Sequence, residues 1–231
     1  MDIKLHYIEQ GSGQPMILLH GNGEDGSYFV HQIGHFSKCY RVIAIDTRGH
    51  GKSPKGEKPF TIKQFAEDLN DFMDEQGIEK AILLGFSDGG NIALTLALQH
   101  PEKVEKLILN GANLFPNGVK PFYQWPIEIG YRIAKLFSKK SEKAKHNTEL
   151  LGLMVNEPQI EPSELAALTM PVLVVAGTKD MIKDSHTRLI FNSLPNAQIN
   201  IIEGDHFVAN KNYEAFNAAV EAFLAPQQKN S

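Results

Sequence analysis

This sequence has little of what marks several large classes of protein. Its 231 residues include a single cysteine, Cys39, so no disulfide can form within the chain. No stretch approaches the roughly 18 apolar residues of a membrane span. The first residues, MDIKLHYIEQG, carry an acid at position 2 and no apolar run suited to a signal peptide. Together these features predict a cytoplasmic protein with no membrane partner. An excess of positive charge is missing too. Twenty-three Lys and Arg face 27 Asp and Glu, a net charge of −4, so the basic footprint that nucleic acid needs is not there. Internal repeats and low-complexity segments are also absent. What remains is the composition of one ordinary globular domain, residues 1–231, with 42% hydrophobic and 22% charged residues.

Short apolar runs recur along the chain. They occupy residues 16–20 (MILLH), 41–46 (RVIAID), 81–86 (AILLGF), 107–110 (LILN) and 171–177 (PVLVVAG), with a later one at 199–203. Continuous runs of this length are the pattern of parallel strands covered on both faces. Residues 4–9, closed by Gly11-Ser12-Gly13, predict an antiparallel edge strand. Between the runs lie helical patterns at 61–76, 91–99 and 210–225. Ile62, Phe65, Leu69, Phe72 and Met73 recur at intervals of about three and four, which places them on one face of a helix. Strands alternating with helices imply an α/β fold, a mostly parallel sheet with helices on both faces.

Residues 115–168 break this alternation. They contain five prolines, Pro116, Pro121, Pro126, Pro158 and Pro162, and no strand pattern. Two helices are expected there, over 127–137 and 141–155, as a short helical cap above the sheet. Phe115, Phe122, Tyr123, Trp125, Tyr131 and Phe137 concentrate aromatic character in it. Its basic stretch, 135–145, reads either as a solvated helix face or as a docking patch for an acidic partner.

The segment Gly85-Phe86-Ser87-Asp88-Gly89-Gly90 sits where a strand ends and a helix begins. A serine at such a sharp turn has a strained backbone, and glycines two residues before and two after avoid collisions. A hydroxyl is a weak nucleophile near neutral pH. It requires a base within hydrogen-bond reach and a third group to orient that base. Both occur in later loops that follow strands: Gly177-Thr178-Lys179-Asp180 and Gly204-Asp205-His206-Phe207. Ser87, His206 and Asp180 are therefore the candidate nucleophile, base and orienting acid. The loop at 110–115 offers no carboxylate, Asp205 would have to fold back onto its neighbour, and Asp184 falls on a predicted helix. Two backbone N–H groups, of Asp88 and Asn22, are expected to form the oxyanion hole, with Gly23 as the alternative to Asn22. His20 is expected to brace that loop.

These motifs resemble those of the α/β-hydrolase superfamily. The resemblance is carried by His20-Gly21-Asn22-Gly23, Asp46-Thr47-Arg48-Gly49-His50-Gly51-Lys52-Ser53, the serine turn, Gly177-Thr178-Lys179-Asp180 and Gly204-Asp205-His206, in that order along nearly the whole chain. It implies a sheet of about eight strands with a cap after the sixth. It also implies a hydrolase that needs no metal or cofactor and structural roles for Asp46 and Arg48. The serine turn together with Asn110-Gly111-Ala112-Asn113 is similar to small esterases of the valacyclovir-hydrolase type.

The expected reaction is cleavage of a small ester, amide or thioester through an acyl-enzyme. Carbon–carbon bond hydrolysis and non-catalytic binding of a small molecule are the alternatives on the same residues. Asp88, Asn113, Phe122, Tyr123 and Trp125 are candidate substrate contacts. Asp88 has two readings: an acid favoured at a helix N-terminus, or a carboxylate that pairs with a cationic group on the substrate. The oligomeric state is left open.

Overall fold

The computed structural model describes residues 2–226. Its seven-stranded sheet has the order β1-β3-β2-β4-β5-β6-β7. The strands are β1 (Tyr7–Gln10), β2 (Pro15–Leu19), β3 (Arg41–Ile45), β4 (Ala81–Phe86), β5 (Val104–Asn110), β6 (Val172–Gly177) and β7 (Ala197–Ile202). Only β1 is antiparallel, paired with β3 as the edge strand. The sheet thus has seven strands, not the eight that the family resemblance implied. The segment before Tyr7 is committed elsewhere: Asp2 binds the guanidinium of Arg48, and the His6 carbonyl accepts from the Asp46 N–H.

Each apolar run divides its side chains between two cores, as the two-residue period of a strand requires. In β2, Ile17 and Leu19 enter one core, Met16 and Leu18 the other. In β4, Ala81 and Leu83 go one way and Ile82, Leu84 and Phe86 the other. The first core is closed by α2 (Ile62–Glu75), α3 (Asp88–Gln99) and α6 (Asp184–Ser193). The second is closed by α1 (Val30–Phe36) and α8 (Tyr213–Leu224). The helix expected over 210–225 is split at Asn212, with the short α7 (Val208–Lys211) ahead of α8.

The interval after β5 carries α4 (Pro121–Phe137) and α5 (Glu142–Asn156), packed on each other. α4 starts six residues earlier than the sequence suggests, with Pro121 at its first position and Pro126 inside it. A first-position proline costs nothing, because that N–H has no helical partner. Pro126 deprives only the Phe122 carbonyl of a bond, and Phe122 is exposed, so water can replace it.

The chain runs from β2 outward to β3, then returns to the other side of β2 to form β4. The loops after β2 and β4 therefore diverge, and a crevice opens at the carboxyl ends of these strands.

Candidate active site

Ser87 occupies the turn between β4 and α3 at φ 52, the one positive φ outside glycine among the described residues. Holding it there costs about 1–3 kcal/mol. The turn is fixed by the Ser87 N–H donating to the Asn110 carbonyl at 2.8 Å, and by Gly90 and Asn91 N–H groups donating back to the Ser87 carbonyl. Its close approaches exclude side chains. A Cβ at Gly85 would run into the Gly89 carbonyl, and one at Gly89 into the Leu19 carbonyl of the neighbouring strand.

The hydroxyl of Ser87 lies 3.0 Å from His206 Nε2. His206 Nδ1 lies 2.7 Å from Asp180 Oδ1. Both His206 and Asp180 are buried. Asp180 Oδ1 also accepts the Ile182 N–H at 2.9 Å, and Oδ2 accepts the Gly177 N–H at 3.2 Å. Burial alone would raise the Asp180 pKa. The hydrogen bond and charge of His206, with those two N–H groups, hold it below the usual carboxylate range. The imidazole has room because residue 111 is glycine at φ +64: a Cβ there would stand 2.6 Å from the ring carbon Cε1. The other acids considered are engaged elsewhere. Asp205 binds Lys211 and the Phe207 N–H, and Asp184 pairs with Arg188 on α6.

The loop after β2 stands beside the serine. Its turn is closed twice, by the Glu24 N–H donating to the Gly21 carbonyl at 3.2 Å and by the Gly21 N–H donating to the Glu24 carboxylate at 3.3 Å. His20 does brace it: Nδ1 faces the Gly21 carbonyl at 2.8 Å, and Nε2 accepts the Thr47 N–H at 3.0 Å. Asp46 accepts the Gly26 and Lys52 N–H groups, and the fully buried Arg48 is clamped between Asp68 and Asp2. Their positions are structural, as the resemblance implies.

Burial pushes the Glu24 carboxyl up to about 7; the Gly21 N–H and His206 pull it partly back, and Asp25 raises it. Because this lies above the ordinary value of 4.5, the folded chain keeps a proton that the unfolded chain has released. The resulting stability is present below the ordinary value and lost as pH rises through the folded one. We predict that Glu24→Gln raises the melting temperature by roughly 2–4 °C in mildly alkaline buffer and hardly at all in acid. A shift of the same size at both pH values would contradict this.

Asn22 and Asp88 meet through their side chains. Asn22 Nδ2 donates to Asp88 Oδ2 at 2.9 Å and to the Leu150 carbonyl of α5 at 2.8 Å, joining loop and cap. Asp88 Oδ1 accepts from Asn91 Nδ2 at 3.3 Å, and Asn91 in turn binds Asn113 through both its side-chain oxygen and its nitrogen. The carboxyl of Asp88 is buried, which pushes its pKa up, while the Asn22 and Asn91 amides and the His206 charge pull it down. Among the described residues it has no ion-pair partner. Asn91 lies one turn beyond Ser87, the single buried asparagine of α3, ahead of the apolar run Ile92-Ala93-Leu94.

Ser87, Asp88 and Asn113 line one small cavity together with Met154 and Glu157 from the cap and Met181 and Ile182 from the loop after β6. It measures about 10 Å³, room for one water at most. Met154 and Met181 are the unbranched apolar residues of this lining, side chains that adapt readily to a change of shape. Glu157 was not foreseen. Its Oε2 accepts the Ile62 N–H at 2.6 Å, and its pKa is raised by burial, offset by that bond and reinforced by Asp88. Phe122, Tyr123 and Trp125 line no part of this cavity; they stand on the outer side of α4, with exposures of 82%, 42% and 67%. The pocket-lining role expected for these three is thus corrected: α4 packs on α5 through its other face.

The alpha/beta hydrolase fold model matches residues 14–154. The chain belongs to this family. Over 92% of its length it is 30% identical to the "Putative carbamate hydrolase RutD" of Caulobacter sp. (strain K31), covering 91% of that protein. It is 28% identical to serine hydrolase BPHL of Homo sapiens, with 96% of this chain and 83% of that protein aligned. Among solved structures, an esterase of Thermogutta terrifontis superposes with a TM-score of 0.81 at 22% identity, covering 96% of this chain and 93% of the other. That last likeness concerns the alpha/beta hydrolase fold alone. No group of His, Cys, Asp and Glu among the described residues is arranged to hold a metal. None of the described helices is long and apolar enough to cross a membrane.

Proposed function

We propose that this α/β hydrolase cleaves a small ester, amide or thioester with Ser87 as nucleophile. The observation that carries the reading is the hydrogen-bonded chain Ser87–His206–Asp180 at the strained turn. His206 Nε2 takes the Ser87 proton as Oγ bonds to the substrate carbonyl carbon. The oxyanion is held by the N–H groups of Asp88 and Asn22, and the positive end of α3 favours it. His206 then protonates the leaving group, whose bond to the carbonyl breaks, and the acyl-enzyme remains. A water enters, gives a proton to His206 and adds to the acyl carbon; His206 returns that proton to Ser87 Oγ as the acyl C–O bond breaks, releasing the carboxylic acid and the free serine. Asp180 holds the imidazole orientation and stabilises its charged form throughout. The experiment is fluorophosphonate labelling of the folded enzyme followed by intact-mass and peptide analysis. A stoichiometric adduct on Ser87 is expected; a folded sample that does not react would favour the reading as a binding protein.

The substrate reading is finer. Asp88 is a buried carboxylate solvated by two neutral amides, and Glu157 brings a second carboxyl to the same cavity. No lysine or arginine lines that cavity. Such surroundings favour a substrate with a positively charged group, an amino-bearing ester for instance. A charged hydrogen bond of this kind is worth roughly 1.5–3 kcal/mol. Asp88→Asn keeps the shape and removes the charge. It should lower kcat/KM for aminoacyl esters about ten- to a hundredfold relative to neutral esters of equal size. Equal losses on both would refute the pairing. Comparing p-nitrophenyl esters with vinylogous diketones decides between acyl transfer and carbon–carbon cleavage.

A further inference from the structure

We propose that the outer face of α4 is a docking surface for an anionic lipid bilayer. Of the seventeen residues in this helix only Gln124 is buried. Phe122, Trp125, Ile129, Ile133 and Leu136 recur at intervals of three and four and are all at least 53% exposed. They form one apolar stripe about 20 Å long. Isolated exposed apolar side chains are ordinary, but a contiguous stripe marks a surface that is covered in use.

Charge identifies what covers it. Residues 132–145 hold six cations, Arg132, Lys135, Lys139, Lys140, Lys143 and Lys145, against one acid, Glu142, in a chain of net charge −4. Among the described residues, only Lys145 of these six has an ion-pair partner, Glu142 at 4.0 Å. A second copy packed face to face would set these cations against themselves. A protein partner would have to bury lysines, which protein interfaces disfavour. A helix lying in a bilayer surface uses this combination: Trp, Phe and Leu toward the acyl chains, with lysines reaching the anionic headgroups. The absence of a long apolar run excludes a span, but such a helix needs only a stripe. The stripe begins three residues past Val119, which lines the cavity with Ser87 and bridges to Ile182. Docking therefore holds the cap segment that lines the Ser87 cavity next to the lipid surface. The inference goes beyond the serine mechanism and does not depend on it.

Trp125 is the only tryptophan, so its fluorescence reports on this face directly. The full chain is mixed with phosphatidylcholine vesicles with or without phosphatidylglycerol. A blue shift and co-flotation are expected with the anionic vesicles only, and both should weaken with added salt. Ile129→Ser with Leu136→Ser should abolish both signals. Lys139→Glu, Lys140→Glu and Lys143→Glu together should weaken binding at least about a hundredfold. None of these residues lies in the site, so turnover of a soluble ester should be retained and show that the variants fold. Failure of the wild type to bind anionic vesicles overturns the proposal. So does equal binding to neutral ones, or a blue shift without lipid that grows with protein concentration, which would assign the face to a second copy.

Discussion

Ser87→Ala should lower kcat on p-nitrophenyl esters about 10⁵- to 10⁶-fold and abolish the fluorophosphonate adduct. The expected loss is this large because the proposed mechanism has the three residues act as one unit. Without Oγ, His206 has no proton to take and no acyl-enzyme can form. The background expected to survive is that of the proposed oxyanion-hole donors, whose backbone the substitution leaves in place. Alanine suits the test, since it takes the same strained turn as serine and removes one atom. Circular dichroism and an unchanged melting profile would show that the fold persists. Retention of full activity would end the assignment of Ser87 as nucleophile.

Asp180→Asn should cost about 10⁴-fold in kcat with little change in KM. Asp180 Oδ1 accepts at once from Ile182 N–H and His206 Nδ1. An amide cannot accept from all three donors. With its nitrogen at the Oδ2 position it meets the Gly177 N–H. With its nitrogen at the Oδ1 position it meets the Ile182 N–H, donates to Nδ1 and leaves the proton on Nε2, facing Ser87, which is the arrangement expected to dominate the loss. The base would then hold the wrong tautomer and could not accept the hydroxyl proton. The same substitution has a pH signature. With its folded pKa depressed, Asp180 contributes stability that is present above the ordinary carboxylate value and lost as pH falls through the lower folded one. The variant should therefore lose stability at neutral pH and approach wild type in strong acid. A loss of turnover below tenfold would mean that Asp180 does not set the tautomer.

How far these residues could be read from sequence depended on how local their signals are. The strands were legible because a strand covered on both faces must be apolar throughout, as in Ala81–Phe86. The turn at Ser87 was legible because its glycines are forced by backbone contacts within the motif and with the adjoining β2. Asp180 and His206 could be named as candidates because each follows a strand end. Glu157 left no such trace. It follows α5, and only the path of the cap brings it over Asp88. The pairing of Asn22 with Asp88 spans 66 residues and depends on β2 and β4 lying side by side. α4 was misread at its start because proline normally breaks a helix, and sequence does not show that Phe122 faces water. The three cap aromatics suggest pocket lining from sequence for a related reason: aromatic content says what wants to be covered, but not by what.

Gly111 shows what it would take to move this chemistry to another scaffold. The His206 ring occupies space that any other residue's first side-chain carbon at position 111 would fill, at a backbone angle few other residues adopt. A designer who copied the serine, the imidazole and the carboxylate would have the reagents without the room for them. The transplant would have to include an empty volume, encoded by a residue with no chemistry of its own.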